Sequence, residues 1–332
     1  MRYKVAQAPI QVVFVLLPDS LLLDWAGPAE ALRIANQSLQ AQGEKPRFDL
    51  QFVGTQAATA TSVGCVVSGL QTLPTPLLAD PGRPTWVVVV GMPGPAVAID
   101  NPPVQALLHW LRGLRLVPHQ LELLTICAGA VLAGHAGLLA GRRVTTHHHH
   151  LAELQAIEPN CQVVANRVFV EDAPVYSSAG VTTGVDLILH RIAGSCGEPI
   201  AAQVAQTMVV AMRRGAQDPE LSPFLSYRNH MHPALHRVQD AVTRNPTQSW
   251  HLTTMASVAC TSPRHLTRIF MAYTGIAPLQ YVRRIRLAVA QAALQSGFNV
   301  TQSAALAGFS SDTQFRRAWH HAGLPGSPSQ AI

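Results

Sequence analysis

The C-terminal third of the chain carries one supersecondary pattern twice, and no other feature restricts its fold as tightly. The first copy reads Ser262-Pro-Arg-His-Leu-Thr-Arg-Ile-Phe270, and the second reads Gly308-Phe-Ser-Ser-Asp-Thr-Gln-Phe-Arg-Arg-Ala-Trp319. In the first, Ser262 can cap a helix with its side-chain oxygen, and Pro263 suits the first turn because it has no N–H to leave unpaired. Leu266, Ile269, Phe270 and Tyr273 recur at helical spacing and predict one apolar stripe, with Arg264, His265, Thr267 and Arg268 facing outward. Leu252, Met255, Ala256 and Ala259 repeat the spacing upstream. Only Cys260 and Thr261 separate the two segments, a turn short enough to lay one helix across the other.

The second copy has the same grammar. Ala304, Ala305 and Leu306 precede a break at Gly308, Ser311 is the cap, and Phe315, Ala318 and Trp319 form the inner stripe. Thr313, Gln314, Arg316 and Arg317 are left outside. Between the copies a helix is expected from Pro278 through Leu294, with Tyr281, Ile285, Ala288 and Ala292 inward and an end near Gly297. Such a rod would fix the distance between two reading helices.

Charge follows the same division. From Met231 onward there are nine arginines and no lysine against Asp240 and Asp312, whereas residues 1–230 hold fifteen basic and sixteen acidic residues. All the net basicity therefore sits in the segment with the repeated motif, as phosphate attraction requires. On the residues Gly308, Phe309, Ser311, Thr313, Phe315, Arg317 and Trp319, the region from about 232 to 326 resembles the AraC/XylS-type DNA-binding domain. The resemblance implies double-stranded DNA as partner, with Arg264, Thr267, Arg268, Asp312, Thr313 and Arg317 at base edges and His265, Gln314 and Arg316 beside them. It also implies RNA polymerase as a further partner. The family's usual Pro-x-x-Tyr-Arg continuation is replaced here by a tail ending at Ile332.

The preceding residues are numerous enough for a second domain with its own core. Five cysteines, at 65, 127, 161, 196 and 260, show neither metal-type nor disulfide-framework spacing and point to a reducing, cytoplasmic setting. Arg2 and Lys4 before the apolar run Val12–Leu17 imitate a signal peptide, but Asp19 and Asp24 follow closely and no small-residue cleavage site is present. No apolar run reaches the ~20 residues of a membrane span.

Instead Gln11–Leu17, Phe48–Val53, Trp86–Val90, Leu121–Ile126 and the segment from Val144 read as short strands. Helical patterns such as Ala29–Gln40 and Val104–Arg112 lie between them, and the alternation predicts an α/β fold with a mainly parallel sheet. Val168–Glu171 and Val175–Ser178 read as a hairpin pair, and Gly184–Gly194 and Pro199–Arg213 as closing helices. The expected division is a flavodoxin-like α/β sandwich over 8–214, a linker over 215–231 broken by Pro219 and Pro223, and an all-α tandem helix-turn-helix domain over 232–328.

Within the α/β part, Leu123-Leu-Thr-Ile-Cys127-Ala-Gly-Ala-Val-Leu-Ala133 is a buried strand running into a cysteine, a tight turn and an apolar helix. The carboxyl edge of an open α/β sheet is where ligands collect, and amides at a helix start would favour a thiolate or an anion. Ile126-Cys-Ala-Gly129, with Val144-Thr-Thr-His147 after it, resembles the PfpI/ThiJ class of the glutamine-amidotransferase-like superfamily. The resemblance places Cys127 at the nucleophile position, His147 as its histidine, and Asp24 of Leu23-Asp-Trp-Ala-Gly-Pro28 as the acid. It also makes Gly91 an oxyanion-type amide donor and Ser178-Ala-Gly-Val-Thr182 the loop that completes the pocket. Asp24, Gly27, Pro28, Gly91, Met92, Cys127, Ala128, His147, Ala179, Gly180 and Val181 are thus the candidate ligand contacts. Ala130 and Met92 depart from the residues usual in related enzymes.

A PfpI-like domain followed by an AraC-type domain is the layout of the GlxA-type regulators. That resemblance implies a homodimeric, metabolite-responsive regulator, more often an activator, whose effector is a nitrogen-containing compound in several members. It implies no cofactor and no turnover. Two alternatives stand beside it: a cysteine-dependent amidase or hydratase with a DNA-binding appendage, and a thiol redox sensor. The run His147-His-His-His150 has Trp at the second position in related regulators. On a helix His147 and His150 would share a face, but no Cys, Asp or Glu at ligand spacing joins them, so no metal is expected. His135 reads as a packed or hinge histidine.

Overall fold

Seven consecutive buried residues, Ile10–Leu16, form strand β1, an interior strand of the N-terminal unit's sheet, in the computed structural model. The structure describes residues 8–180, 182–210, 213–216, 226–295, 297–324 and 326–330. Val181, the N-terminal Arg2 and Lys4, and most of the expected linker lie outside the described residues. Two compact units divide the chain, Met1–Glu220 and Leu221–Ile332.

An unbroken apolar strand is what a parallel sheet covered on both faces demands. In β1, Val12, Phe14 and Leu16 enter one core while Val13 and Val15 enter the other, as the two-residue period dictates. β1 pairs in parallel with β2 (Phe48–Gly54) on one side and β6 (Thr85–Val89) on the other. Beyond β6 lie β7 (Leu121–Ile126), β11 (Val175–Ser178) and the antiparallel β10 (Phe169–Asp172); the short β5 (Gln71–Thr72) edges β2. Strands β3 (Ala58–Ala60) and β4 (Val66–Ser68) make a separate ribbon. Helices α1 (Leu22–Ala41), α5 (Thr183–Cys196) and α6 (Glu198–Thr207) belong with the first core; α2 (Pro102–Arg112), α3 (Gly129–His135) and α4 (Leu151–Ile157) belong with the second. This is the expected flavodoxin-like sandwich. Because β2 and β6 flank β1 on opposite sides, the strand order reverses there, and the carboxyl ends of strands at such a switch point are where ligands of open α/β sheets collect.

Two expected elements differ. The segment from Val144 does not join the main sheet: β8 (Arg143–Val144) pairs with β9 (Gln162–Val163) in a two-stranded ladder. The next residues bond instead through side chains, the Thr145 amide to Ser177 Oγ at 2.8 Å and Thr146 Oγ1 to the Cys127 carbonyl at 2.8 Å. The last helix of the unit stops at Thr207 rather than continuing, and Val209 adopts a left-handed φ of 54°. Among the described residues no helix is long and apolar enough to cross a membrane.

The second unit contains helices α7 (Pro233–Arg244), α8 (Leu252–Ala259), α9 (Pro263–Thr274), α10 (Pro278–Gln295), α11 (Val300–Leu306) and α12 (Asp312–His321). They build two small cores. Leu235, Val238, Met255, Leu266, Ile269 and Phe270 meet Tyr281, Val282 and Ile285 in one; Ala304, Phe309, Phe315 and Trp319 meet Leu287, Ala290 and Leu294 in the other. α10 thus serves both cores and rotates its buried face along its length. For this reason Ala288 is only half-buried and Ala292 is exposed, contrary to a single inward stripe. Tyr273 also leaves the expected stripe: it is 53% exposed and rests edge-on against His230 and His232. In the second copy Ser303 and Ala307 are buried while Ala305 and Leu306 are exposed.

Candidate functional site

Three strand ends place the candidate residues. β1 leads into Asp24 in the first turn of α1, β6 into Gly91, and β7 into Cys127. Asp24 is wholly buried, and its Oδ2 accepts the Gly91 amide at 3.0 Å. Leu21 donates its amide to the Gly91 carbonyl at 3.0 Å, so the start of α1 is tied to the end of β6 by two bonds. A side chain at position 91 would press on the Ala128 amide at 2.9 Å and on Asp24 and Cys127 at 3.0 Å. Only glycine lets these three groups converge.

Cys127 takes a left-handed φ of 55°, the sharp turn expected between strand and helix, and is 4% exposed. Its amide donates to the Ser178 carbonyl at 3.0 Å, which ties it to the start of the loop Ser178–Gly180. That loop is closed by Thr183, whose Oγ1 accepts the Gly180 amide at 2.6 Å. Ala128, Ala179, Gly180, Gly27 and Pro28 are buried; Met92, His147 and His148 are half-buried and stand nearest solvent. α3 is only seven residues long, and its amides at Ala130 and Val131 turn back onto the Cys127 and Ala128 carbonyls.

The electrostatics separate acid from imidazole. Burial pushes the Asp24 carboxyl up to about 7, with the Gly91 bond opposing part of the rise. Asp24 Oδ1 has no hydrogen-bond partner among the described residues, nor do the buried hydroxyls of Thr145 and Ser178. His147 is pushed down to about 4 by burial and by the neighbouring His148, His149 and His150. At neutral pH it is therefore an uncharged imidazole and a weak base, with no positive charge to stabilise a thiolate. The expected oxyanion donor is also engaged, because the Gly91 N–H points at Asp24. Cys127, Asp24 and Gly91 thus stand at neighbouring strand ends, with the Gly91 amide engaged by Asp24 and His147 uncharged at neutral pH.

In the second unit, Ser262 Oγ accepts the His265 amide at 3.3 Å and Ser311 Oγ the Gln314 amide at 3.2 Å, so both expected caps form. Arg264, His265 and Arg268 are exposed on α9, with Arg268 Nη2 3.1 Å from His265 Nδ1. Thr267 donates its hydroxyl to the Pro263 carbonyl at 3.0 Å, which leaves its methyl for contact. On α12, Thr313 and Arg317 are exposed. Asp312 accepts Thr301 Oγ1 at 2.7 Å, Gln314 Oε1 accepts the Ser310 amide at 2.9 Å, and Arg316 donates to Ser329 Oγ at 3.0 Å. Internal bonds therefore compete for three of the expected contacts. Arg237 donates to the Ala259 carbonyl and Arg286 to those of Pro246 and Gln248, so part of the basic charge holds the helices together. The capping box of Asn299 and Gln302, which starts α11, was readable from its spacing but stands outside the expected sites.

Two family models match, a helix-turn-helix domain over residues 255–322 and the DJ-1/PfpI family over residues 12–193. The HTH-type transcriptional regulator GbdR of Pseudomonas aeruginosa is 26% identical over 319 residues, covering 96% of this chain and 83% of that protein. The HTH-type transcriptional regulator GlxA of Rhizobium meliloti is 28% identical over 318 residues, 93% of this chain and 91% of its own. Isonitrile hydratase of Pseudomonas putida is 29% identical over 183 residues, 54% of this chain and 69% of the enzyme. With the sandwich, the strand-end cysteine and the paired reading helices in place, the chain belongs to the DJ-1/PfpI family and carries an AraC-type helix-turn-helix domain as its second unit.

Proposed function

We propose that this DNA-binding helix-turn-helix regulator is controlled by a small nitrogen-containing metabolite held between Asp24, Gly91, Cys127 and His147. One observation carries the reading: Asp24 Oδ1 is fully buried at the carboxyl edge of the sheet and has no partner among the described residues. A buried carboxyl oxygen without a donor is costly, and an ammonium, guanidinium or amide N–H would satisfy it. With the carboxyl poised at about 7, a cationic ligand would displace its proton and stabilise the ionised form. Met92, His147 and the Ser178–Gly180 loop would form the mouth. Occupancy shifts the protein between two arrangements with different DNA affinity, by a coupling of about 1–3 kcal/mol. Homodimerisation, a cytoplasmic setting, activation as the direction of control and RNA polymerase as partner belong to the same reading.

The test begins with affinity selection of fragmented genomic DNA by the full-length protein at two salt concentrations. A discrete motif that survives the higher salt supports the regulator, and the adjoining genes nominate candidate metabolites. Calorimetry of those metabolites on wild type and Asp24→Asn then decides the pocket. Equal affinity for both proteins refutes it.

Turnover is the second reading, favoured by the left-handed Cys127 and the partial likeness to isonitrile hydratase. The engaged Gly91 amide and the uncharged His147 oppose it. Steady hydration of an isonitrile, lost in Cys127→Ala, would establish it.

A further inference from the structure

The run of four histidines is not a helix face. His147 is extended, with φ −54° and ψ 139°, and His148–His150 form a single 3-10 turn. This backbone does what an α-helix could not: it gathers three consecutive imidazoles. Ring centroids are 4.1 Å apart for His147 and His148, 4.3 Å for His148 and His149, and 4.9 Å for His147 and His149. One ring nitrogen from each lies within 4.8 Å of the other two. The fourth histidine plays a different part. His150 is buried, and its Nδ1 lies 2.6 Å from Glu153 Oε2, while Glu153 Oε1 accepts the Val97 amide at 2.9 Å.

We infer that His147, His148 and His149 form a binding site for a divalent transition cation of the zinc type. Metal–nitrogen bonds of ~2.0–2.1 Å around a tetrahedral ion set ligand nitrogens about 3.4 Å apart, so the three rings need to close by little more than 1 Å. His149 is exposed, and the bond from its amide to His147 Nδ1, at 3.4 Å, is weak enough to yield. The frame is fixed on both sides. Thr146 Oγ1 is bonded to the Cys127 carbonyl before the turn, and His150 is locked to Glu153 after it. Three imidazoles select zinc, cobalt, nickel or copper over magnesium and calcium, which prefer oxygen. Three protein ligands leave a fourth position open for water or a small ligand beside the pocket mouth.

The inference goes beyond the metabolite reading and does not depend on it, because it is read without DNA or effector. Full-length protein made without an affinity tag is treated with EDTA and titrated with Zn²⁺ by calorimetry and with Co²⁺ by absorption. One cation per chain is expected, with the visible bands of a tetrahedral Co²⁺ site. His148→Asn and His149→Asn should each weaken binding by about tenfold or more with unchanged melting. His320→Asn, in another exposed histidine pair, should have no effect. Cation binding that survives the His148→Asn/His149→Asn double variant, or that falls equally with His320→Asn, overturns the site. So does the absence of the cobalt bands in the wild type.

Discussion

Gly91 gives its backbone N–H to Asp24 across 3.0 Å, and this bond decides what the cysteine edge of the sheet can do. It engages the amide expected as an oxyanion donor and orients a buried carboxyl whose other oxygen has no hydrogen-bond partner among the described residues. Asp24 and His147 then oppose each other in pH dependence. In the fold Asp24 holds its proton up to about pH 7, against an ordinary value of 3.8, so the folded state binds more protons between those values. Its contribution to stability is complete below 3.8 and lost as pH rises through 7. His147 releases its proton near 4 in the fold and near 6.5 when unfolded, so its contribution grows from pH 4 to 6.5. The wild type should therefore show a nearly flat profile. Asp24→Asn should gain up to about 4 kcal/mol relative to wild type between pH 4 and pH 8, and its stability should climb from pH 4 to 6.5. His147→Gln should show the reverse slope. Urea unfolding across this range checks both, and parallel curves for the three proteins would refute the assignment.

Gly91→Ala should injure the same place by crowding. The added methyl meets the Ala128 amide, Asp24 and Cys127 at 2.9–3.0 Å, and two of these contacts are to groups held by the sheet edge. A loss of about 1–3 kcal/mol is expected from overpacking, together with a loosened Asp24 bond. A crystal structure of the variant with Asp24 unmoved and unfolding unchanged would contradict it.

Local signals were legible in the sequence and remote ones were not. Ser262 with Pro263, and Ser311, could be read as caps because the bond each side chain makes closes within three residues. The buried run of β1 was legible because a fully covered strand has no polar face to interrupt it. Asp24 and Gly91 lie 67 residues apart, and spacing says nothing of a bond at that separation; only family resemblance brought the two into one pocket. Resemblance made the Gly91 amide an oxyanion donor, and its pairing with Asp24 Oδ2 is a bond that only the folded chain displays. Tyr273 and Ala292 leave the expected stripe because a single period does not hold along helices that turn toward different neighbours. A helix would pair His147 with His150, whereas the 3-10 turn brings His147, His148 and His149 together, a backbone choice that four identical residues do not signal.

The two helix-turn-helix copies place different residues at the same kind of turn. Gly308 has φ 80°, and a Cβ there would lie 2.5 Å from Thr247 Cα and 2.9 Å from the Pro246 carbonyl. Cys260, at φ 55°, occupies the left-handed position in the first copy as an exposed residue. Gly308→Ala should cost about 2–4 kcal/mol through strain and backbone crowding, and Cys260→Gly should gain up to about 1 kcal/mol. Denaturant unfolding of the full-length protein, followed by the fluorescence of Trp250 and Trp319 in a background of the other tryptophans replaced by Phe, reports on this unit. Equal effects at the two positions would mean that the contact with Thr247 is absent.

The arginines of α12 should divide by what already holds them. Arg316 is bonded to Ser329 Oγ, whereas Arg317 stands exposed on the turn that carries Thr313. Arg317→Ala should cost about 1–3 kcal/mol on the preferred site and relax the choice of base at one position, because a guanidinium reads guanine through two bonds. Arg268→Ala should do the same at the groove read by α9. Arg316→Ala should leave base preference intact and weaken all sequences alike, with a shallower salt dependence if it reaches a phosphate. Selection from a randomised site library with each variant measures both quantities. If Arg316→Ala alone alters the preferred base, the two side chains exchange roles on DNA, and the Ser329 bond is one that binding breaks.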